Sequence, residues 1–326
     1  MFYYGIQNIH LKKEVSKIPF YLSKYSFNSI LVTYQKDESY PSLESEVEDL
    51  KIEFLGRRTE GKYYFFDFNC FKYLFQKSKE IDVLNLYHLR LKTIIYGFIY
   101  KIINKNGFLY LKLDLDLRKG SNNFSNTIKS KINDFLSYYF IHKTCDLLSV
   151  ENSTSFNFLK EKYKIDDKKL LCLPSGVDYS LAHFDNDYYT DLKKNKENLI
   201  LTSGRLGMDQ KNNEMLLEAI AKIDLRDWKI VLMGKIENDR FNKYLKNYFE
   251  KYPEMISRII FTGLLSDRQT IENYFKRSKI FCLTSRWESF GLVLIEAMYF
   301  GNYVITTSIE SANDITDKGK HGKVIE

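Results

Sequence analysis

The chain of 326 residues contains few cysteines, prolines and glycines: 4 Cys, 4 Pro and 15 Gly. No two cysteines have the CxxC spacing, so neither a disulfide framework nor a structural zinc site is expected. We expect isolated thiols in a reducing cytoplasm. These thiols belong to Cys70, Cys145, Cys172 and Cys282.

Long apolar runs are also missing. The longest, residues 93–100, lies between Lys92 and Lys101, whereas a membrane-spanning helix needs about 20 residues. The first residues lack a basic stretch followed by an apolar core, so we expect no signal peptide. With 44% hydrophobic and 28% charged residues, the composition is typical of a folded soluble protein and excludes disordered and collagen-like chains.

Positive charge and aromatic side chains are abundant. The formal net charge is +7, and residues 51–145 hold 17 Lys and Arg against 8 Asp and Glu. Basic residues among aromatic ones suit peripheral contact with an anionic membrane, although a solvated basic surface over an aromatic core is the alternative. No nucleic-acid motif occurs, so we expect no nucleic-acid partner. We therefore expect a cytoplasmic protein associated with the inner face of the membrane.

Strand patterns alternate with helical patterns along the chain, which predicts an α/β fold with parallel sheets. Residues 174–198 contain a Pro-Ser-Gly turn and a charge-rich run, and they predict a turn followed by a solvated linker. We predict two Rossmann-like, doubly wound domains, residues 1–188 and 189–326, that face a cleft. The predicted strands are residues 2–4, 29–34, 51–55, 83–86, 108–113, 147–150, 199–202, 229–233, 258–261, 280–283 and 303–306.

The segment 281–298 has the pattern of a phosphate site. A buried strand is followed by a polar loop that contains Glu288, and Gly291 then begins a helix that contains Glu296. Free N–H groups at a helix start attract phosphate, and glycine allows a close approach. Two carboxylates beside such a site can bind hydroxyls, which suits a nucleotide sugar. Either glutamate alone would be read as a solvated or capping residue.

A second strand-to-helix turn follows residues 199–202. It contains Gly204, and Arg205 and Lys211 fall in or near the turn, where both can reach one anion. Single basic residues in loops are usually only solvated. Two of them beside a glycine turn favour an anion-binding role.

Four motifs in this order resemble glycosyltransferase family 4, a family of retaining enzymes with the GT-B fold. They are residues 174–178 (PSGVD), the Gly204–Arg205 turn with Lys211, residues 261–264 (FTGL), and Glu288 followed after seven residues by Glu296. The resemblance covers residues 174–307; the first half of the chain shares only the element pattern and a few positions. It implies two Rossmann-like domains around a cleft.

The resemblance also implies roles. Arg205 and Lys211 would bind the donor diphosphate and stabilise the leaving group, Glu288 would contact the transferred sugar, and Glu296 would bind the ribose. The enzyme would be a retaining hexosyltransferase that uses a UDP-linked donor and a saccharide or lipid-linked saccharide acceptor, without a required metal or other cofactor. The backbone around Phe290, Gly291 and Leu292 would hold phosphate near the Gly204 turn, and the base would be bordered by Gly263, Leu264 and Leu265.

Asp114 is the candidate in the first half of the chain. It stands where many members of the family carry a histidine that approaches the sugar, and Lys112, on the same strand face, is expected to pair with it. A purely structural Asp–Lys pair is the alternative. His88 follows the preceding predicted strand and is either a cleft residue or a structural imidazole. The Asp-Leu-Asp sequence from Asp114 to Asp116 also resembles the metal motif of the GT-A fold.

Three departures from the family pattern keep other functions open. The first loop, near Asn8, has only Gly5 where members often have two glycines, and the further helices expected after residue 326, including the crossing helix, are absent. Asp114 is the third departure. The alternatives are a non-catalytic, glycan-binding GT-B partner subunit and a protein O-glycosyltransferase.

Overall fold

The computed structural model describes residues 14–35, 47, 49–57, 67–115, 117, 128–178, 190 and 192–326. The chain forms two compact units. Unit 1 comprises Met1–Glu151 and Ser155–Leu173, and unit 2 comprises Asn152–Thr154 and Pro174–Glu326. The predicted boundary at 188/189 lies outside the described residues and stays a prediction.

Unit 1 contains two parallel sheets. One is a pair, β1 (Ile30–Gln35) and β2 (Lys51–Arg57), and the other has four strands in chain order. These four are β3 (Val83–Tyr87), β4 (Phe108–Lys112), β5 (Leu147–Val150) and β6 (Leu170–Cys172). The described helices are α1 (Glu14–Lys24), α2 (Phe68–Lys77), α3 (Leu91–Ile103), α4 (Ile128–Lys143) and α5 (Ser153–Tyr163).

The core of unit 1 explains why its helices lie close to the sheet. Leucines of β3 and β4 are fully buried against α3 and α4. Gly97 allows this packing, because a Cβ there would lie 2.4 Å from the Phe140 ring. Helix α2 begins where the Asp67 carboxylate accepts a hydrogen bond from the Cys70 amide, an N-cap that satisfies an otherwise unpaired donor.

Unit 2 has one parallel sheet of six strands in the order β12-β11-β10-β7-β8-β9. This is the classical order of a Rossmann-like sheet, and it reverses between β7 and β10. The strands are β7 (Glu197–Ser203), β8 (Lys229–Met233), β9 (Ile259–Gly263), β10 (Ser278–Leu283), β11 (Tyr303–Thr307) and β12 (Gly322–Ile325). The described helices are α6 (Asn213–Ile220), α7 (Asp239–Lys251), α8 (Arg268–Arg277), α9 (Leu292–Tyr299) and α10 (Ala312–Thr316).

The end of the predicted solvated linker is a structural part of unit 2. The Lys196 ammonium donates hydrogen bonds to the carbonyls of Ser278, at 2.7 Å, and Phe300, at 2.6 Å. Glu197 begins β7 and forms a two-bond ion pair with Arg277. The prediction of a solvated linker is therefore wrong for these residues, because local charge does not reveal which distant carbonyls and charged side chains the fold brings beside them.

The predicted α/β class with parallel sheets is confirmed. All predicted strands from residue 29 onward are present, and the predicted strand at 2–4 lies outside the described residues. The sequence missed the short strands β6 and β12. In the described part of the chain, no helix is both long and apolar enough to cross a membrane.

Candidate functional site

Two loops meet at the carboxyl edge of the unit 2 sheet, where its strand order reverses. Residues 204–212 follow β7, and residues 284–291 follow the neighbouring strand β10. The Arg286 amide donates to the Gln210 carbonyl at 2.8 Å, and the Thr284 hydroxyl donates to the Asn212 carbonyl at 3.0 Å. The fold thus brings together two of the segments that the sequence singled out, at the edge where such sheets bind ligands.

Lys211 and Glu288, 77 positions apart, form an ion pair. Lys211 Nζ lies 2.5 Å from Glu288 Oε1, and the two side chains are only 16% and 13% exposed. The buried Ser285 hydroxyl donates to the same carboxylate oxygen at 2.7 Å. This geometry orients the carboxylate and keeps a cation beside it. The pair therefore presents a carboxylate that can accept hydrogen bonds from ligand hydroxyls and a positive charge.

Gln210 connects this pair to the second predicted cation. Its side-chain nitrogen donates to Glu288 Oε2 at 3.2 Å and to the Trp287 carbonyl at 3.1 Å. Its side-chain oxygen accepts a bond from the Arg205 guanidinium at 3.3 Å. Arg205 is exposed, so its remaining donors can reach a ligand. Arg205, Lys211 and Glu288 therefore belong to one hydrogen-bonded cluster.

Glycines allow the loops to approach so closely. Gly204 has φ +151°, and a Cβ there would lie 3.1 Å from the Lys211 Cε atom. A Cβ on Gly234, after β8, would lie 1.8 Å from the Gly204 carbonyl oxygen. At Gly234 a side chain would collide with the backbone of the turn that carries the cations, so close approach requires glycine there. At Gly204 the positive φ would strain any other residue.

Helix α9 begins at the same edge, as the sequence predicts. Gly291 is its N-cap and has φ +81°, a left-handed conformation that glycine adopts readily. The preceding Phe290 is buried, and its carbonyl accepts a hydrogen bond from the Ser311 hydroxyl, which anchors the loop. N–H groups of a first helical turn, which Leu292 begins here, have no partner within the helix and can bind an anion.

Glu296 lies about one turn into α9 and is largely buried. Its carboxylate forms no hydrogen bond with any residue that the structure describes. Burial raises the pKa of the Glu296 carboxyl from 4.5 to about 7, and the positive charge of Arg268 opposes this only in part. A largely buried carboxylate with no hydrogen-bond partner among the described residues is suited to accept hydrogen bonds from ligand hydroxyls.

The end of β9 adds an apolar surface at the same sheet edge. Gly263 ends the strand with φ +68°. Leu264 follows it and is 76% exposed, whereas Leu265 packs against the core. An exposed leucine on an anchored turn is compatible with contact to a planar, partly apolar ring.

In unit 1 the predicted pairing of Asp114 with Lys112 is wrong. The Lys112 ammonium is buried and lies 3.1 Å from Glu151 and 3.3 Å from Glu14. Asp114 is exposed just beyond β4 and lies near His88, which follows β3. The strand ends at Lys112, so the period-two spacing does not extend to Asp114, and of the two only Lys112 is a buried residue of the strand.

Electrostatics at His88 differ from those of a free imidazole. Burial lowers the pKa of His88, Arg90 lowers it further, and the charge and the backbone carbonyl of Asp114 oppose these effects. Its backbone has φ +60°, unusual for a residue other than glycine, and its amide donates to the Lys112 carbonyl at 3.0 Å. Asp116 lies outside the described residues.

The sequence did not single out Gln210 or Ser285 as site residues. Both are common polar residues in loops, and the only signal was that each lies within a few positions of a predicted site residue. Among the residues that the structure describes, no three His, Cys, Asp or Glu side chains lie close enough together to hold a metal ion.

Comparisons with known proteins agree with this architecture. Residues 188–326 match the family described as Glycosyl transferases group 1. The chain is 28% identical over 178 residues to a probable sucrose-phosphate synthase of Thermosipho melanesiensis, covering 54% of this chain and 41% of that protein.

A second relative is an alpha-1,4-N-acetyl-D-galactosaminyltransferase of Campylobacter jejuni, whose name specifies an undecaprenol-linked saccharide as its substrate. It is 30% identical over 205 residues, which is 61% of this chain and 51% of that protein. The chain thus spans about half or less of the length of the curated relatives that it matches.

Solved structures resemble the whole chain. Anabaena HepE in complex with UDP has a TM-score of 0.71 at 16% identity and covers 99% of this chain and 85% of its own. A glycosyltransferase from Rickettsia africae has a TM-score of 0.69 at 17% identity, covering 100% of this chain and 83% of its own. The GT-A alternative is therefore wrong. The chain has the GT-B fold of two Rossmann-like units, and residues 188–326 match the Glycosyl transferases group 1 family.

Proposed function

We propose that this protein is a retaining glycosyltransferase of the family 4 type. It transfers a hexose from a nucleotide-sugar donor, UDP-linked, to a saccharide or lipid-linked saccharide acceptor in cell-surface polysaccharide or glycoconjugate synthesis. The observation that carries the proposal is the cluster of Arg205, Gln210, Lys211 and Glu288 at the switch point of the unit 2 sheet.

This cluster has the charges that glycosyl transfer requires. When the bond between the sugar C1 and the phosphate oxygen breaks, positive charge develops on the sugar and negative charge on the departing diphosphate. Arg205 and Lys211 supply fixed positive charge for the diphosphate, and Glu288 accepts hydrogen bonds from sugar hydroxyls. Preorganised charges of this kind are among the largest contributions to catalysis. We propose that these cations make a metal ion unnecessary.

The nucleotide end of the donor fits the rest of the site. We propose that the amides at Gly291 and Leu292 bind phosphate, that Glu296 binds the ribose hydroxyls, and that Leu264 and Leu265 border the base. The UDP complex of the structurally similar Anabaena HepE supports a uridine nucleotide.

Unit 1 is proposed to bind the acceptor, with Asp114 contacting the sugar. The undecaprenol-linked substrate named for the Campylobacter jejuni relative supports a lipid-linked saccharide. Such acceptors lie in membranes, so we further propose that the protein is cytoplasmic and contacts the anionic inner face of the membrane peripherally.

The proposal is tested with a panel of UDP- and GDP-linked sugars, scored for nucleotide release with and without a chelator. Lys211→Met should lower kcat about 100-fold or more, as expected when one preorganised charge is removed. Lys243→Met changes an exposed lysine on α7 and serves as the matched control. Near-normal turnover in Lys211→Met, or loss of activity on chelation, would contradict the assigned role of the cations.

A non-catalytic partner subunit is distinguished by binding alone. Calorimetric titration with UDP and GDP should give UDP binding that is lost in Lys211→Met and kept in Lys243→Met. Absence of any nucleotide binding would favour the glycan-binding partner instead.

A further inference from the structure

The outer surface of three neighbouring helices in unit 1 carries large exposed apolar side chains. Helix α2 packs against α3, and α3 packs against α4. Since α3 and α4 are successive connections between parallel neighbouring strands, they cover the same face of the sheet. Exposed apolar side chains on these helices, named here the apolar face, are Phe68, Phe75, Ile102, Ile132, Phe135 and Tyr139. Tyr138 is also exposed, but its ring packs against His142 and it is not counted in this face.

Helix α2 contributes an exposed row of aromatic rings. Phe68, Phe71 and Phe75 are spaced at three and four residues, so they lie on one side of the helix. Their ring centroids are 6.5 and 6.2 Å apart in succession. Phe68 and Phe75 are each 67% exposed, whereas Cys70 and Leu74 on the other side of the helix are buried. The exposed rings of Phe68 and Phe75 are therefore not part of the packed core.

Helix α4 repeats this arrangement. Ile132, Phe135 and Tyr139 follow the same spacing, and Phe135 is 67% exposed. The Tyr139 ring lies 6.0 Å from Phe98 of α3, so the rings of α4 continue onto the neighbouring helix. Ile102 lies at the end of α3 and is 73% exposed. The apolar face therefore has members on all three packed helices, with a direct ring contact between α3 and α4.

Positive charge accompanies the apolar face. The three helices contain seven lysines and one acidic residue, Asp134. Asp134 is already paired with Lys162 of α5. Lys72 on α2 and Lys131 and Lys143 on α4 are exposed. The acidic charge on these helices is too small to balance this excess, so the face is complementary to an anionic surface.

Unit 2 provides a contrast within the same chain. Its exposed large apolar residues, such as Ile223, Ile256 and Tyr303, lie on separate elements. Scattered residues of this kind are normal on protein surfaces, whereas a continuous apolar patch marks an interaction site.

We infer that the apolar face docks onto an anionic phospholipid bilayer, with the aromatic rings and isoleucines entering the headgroup region and the lysines contacting lipid phosphates. Amphipathic surfaces with this composition bind in the plane of the interface, through buried apolar area and through attraction to anionic lipid. The inference rests on the proposed function for its biological setting, but vesicle binding requires neither donor nor turnover.

The test is co-sedimentation of the full chain with vesicles of phosphatidylcholine alone and of equal parts phosphatidylcholine and phosphatidylglycerol. We expect binding to the anionic vesicles that weakens with salt, because exposed charges are screened. The double variant Phe75→Ser/Phe135→Ser should bind about tenfold or more weakly, because the inserted apolar area is lost. The control Ile223→Ser/Ile256→Ser removes equally exposed apolar residues from unit 2 and should bind as wild type.

Two further measurements make the outcome specific. Both native tryptophans, Trp228 and Trp287, lie in unit 2, so the emission of a Phe135→Trp variant should shift to shorter wavelength on binding, by comparison with the wild type. UDP titration should give the same affinity in the Phe75→Ser/Phe135→Ser variant, which separates failure of docking from failure of the donor site. Absence of vesicle binding, or equal binding by both double variants, would overturn the inference. A wild-type dimer in sedimentation velocity that the Phe double variant abolishes, without vesicle binding, would assign the face to a second copy.

Discussion

The buried carboxyl of Glu296 makes nucleotide binding depend on pH. Its pKa in the free protein is about 7, so it is about half ionised at neutral pH. Ribose hydroxyls donate hydrogen bonds, and an ionised carboxylate accepts them more strongly than a protonated one. If Glu296 binds the ribose, UDP should bind preferentially to the ionised form and release protons as it binds.

The magnitude follows from this pKa. About one tenth of the Glu296 carboxyl is ionised at pH 6 and about nine tenths at pH 8. If only the ionised form binds, the affinity for UDP should rise about tenfold over this window, or about 1.4 kcal/mol. UDP itself gains charge in this range, so the matched control is Glu296→Gln, which keeps the size of the side chain and does not titrate.

The assay is calorimetric titration of UDP at pH 6, 7 and 8, repeated at pH 7 in buffers with different enthalpies of protonation. The wild type should release about half a proton more than Glu296→Gln at pH 7. Between pH 6 and pH 8 the affinity of the wild type for UDP should rise by up to about tenfold more than that of Glu296→Gln. Identical pH profiles and identical proton release in the two proteins would refute the ribose-binding role.

The same carboxyl should reduce stability. Its folded-state pKa lies above the ordinary value of 4.5, so between about pH 4.5 and 7 the folded chain binds more protons than the unfolded chain. Stability therefore falls as pH rises through this window, by at most about 3 kcal/mol for this group. Glu296→Gln should remove this part of the pH dependence in urea unfolding.

The remaining predictions concern the contacts in both units. Gln210→Met should weaken UDP binding about tenfold, since two hydrogen bonds to charged groups are lost. If Gln210→Met still weakened binding tenfold in a chain that already carries Arg205→Ala, that result would contradict the coupling through Arg205. Lys196→Met should lower the free energy of unfolding by about 1–3 kcal/mol, because the Phe300 carbonyl loses the lysine bond whereas the Ser278 carbonyl keeps its bond from Asn302, and an unchanged urea midpoint would be inconsistent with this. Lys112→Met should cost about 3–5 kcal/mol, because the Glu151 and Glu14 carboxylates lose the buried ammonium that pairs with both. Adding Glu151→Leu should restore part of that loss, and no recovery would count against the ion pair.

Local patterns were enough to predict most of the architecture. Alternating strand and helix signals predicted the parallel α/β sheets. Strands of such sheets are buried on both faces, so each one is a short apolar run that can be recognised without knowing which strand it pairs with. The N-terminus of α9 was predicted because Gly291 directly precedes an apolar helical segment. Strands β6 and β12 were missed because three or four residues carry little periodic signal.

The partners of charged side chains were harder to predict, because charge pairing depends on distant segments. Lys112 was expected beside Asp114, two positions away, but its partners Glu14 and Glu151 come from other elements. Lys196 was expected in solvent, but its donors are directed at carbonyls about 80 and 100 positions later.

The sequence by itself determined the succession of strands and helices, the positions of the glycine turns and the types of residues that could bind a nucleotide sugar. Only the tertiary structure decided that Gln210 joins Arg205 to Glu288 and that Glu296 has no hydrogen-bond partner among the described residues. It also decided that Phe68, Phe75, Phe135 and Tyr139 face outward, whereas Phe140 of the same helix layer is buried. Hydrogen-bond partners and exposure are set when separate segments meet at a sheet edge or in a helix layer, and no local spacing encodes which segments will meet.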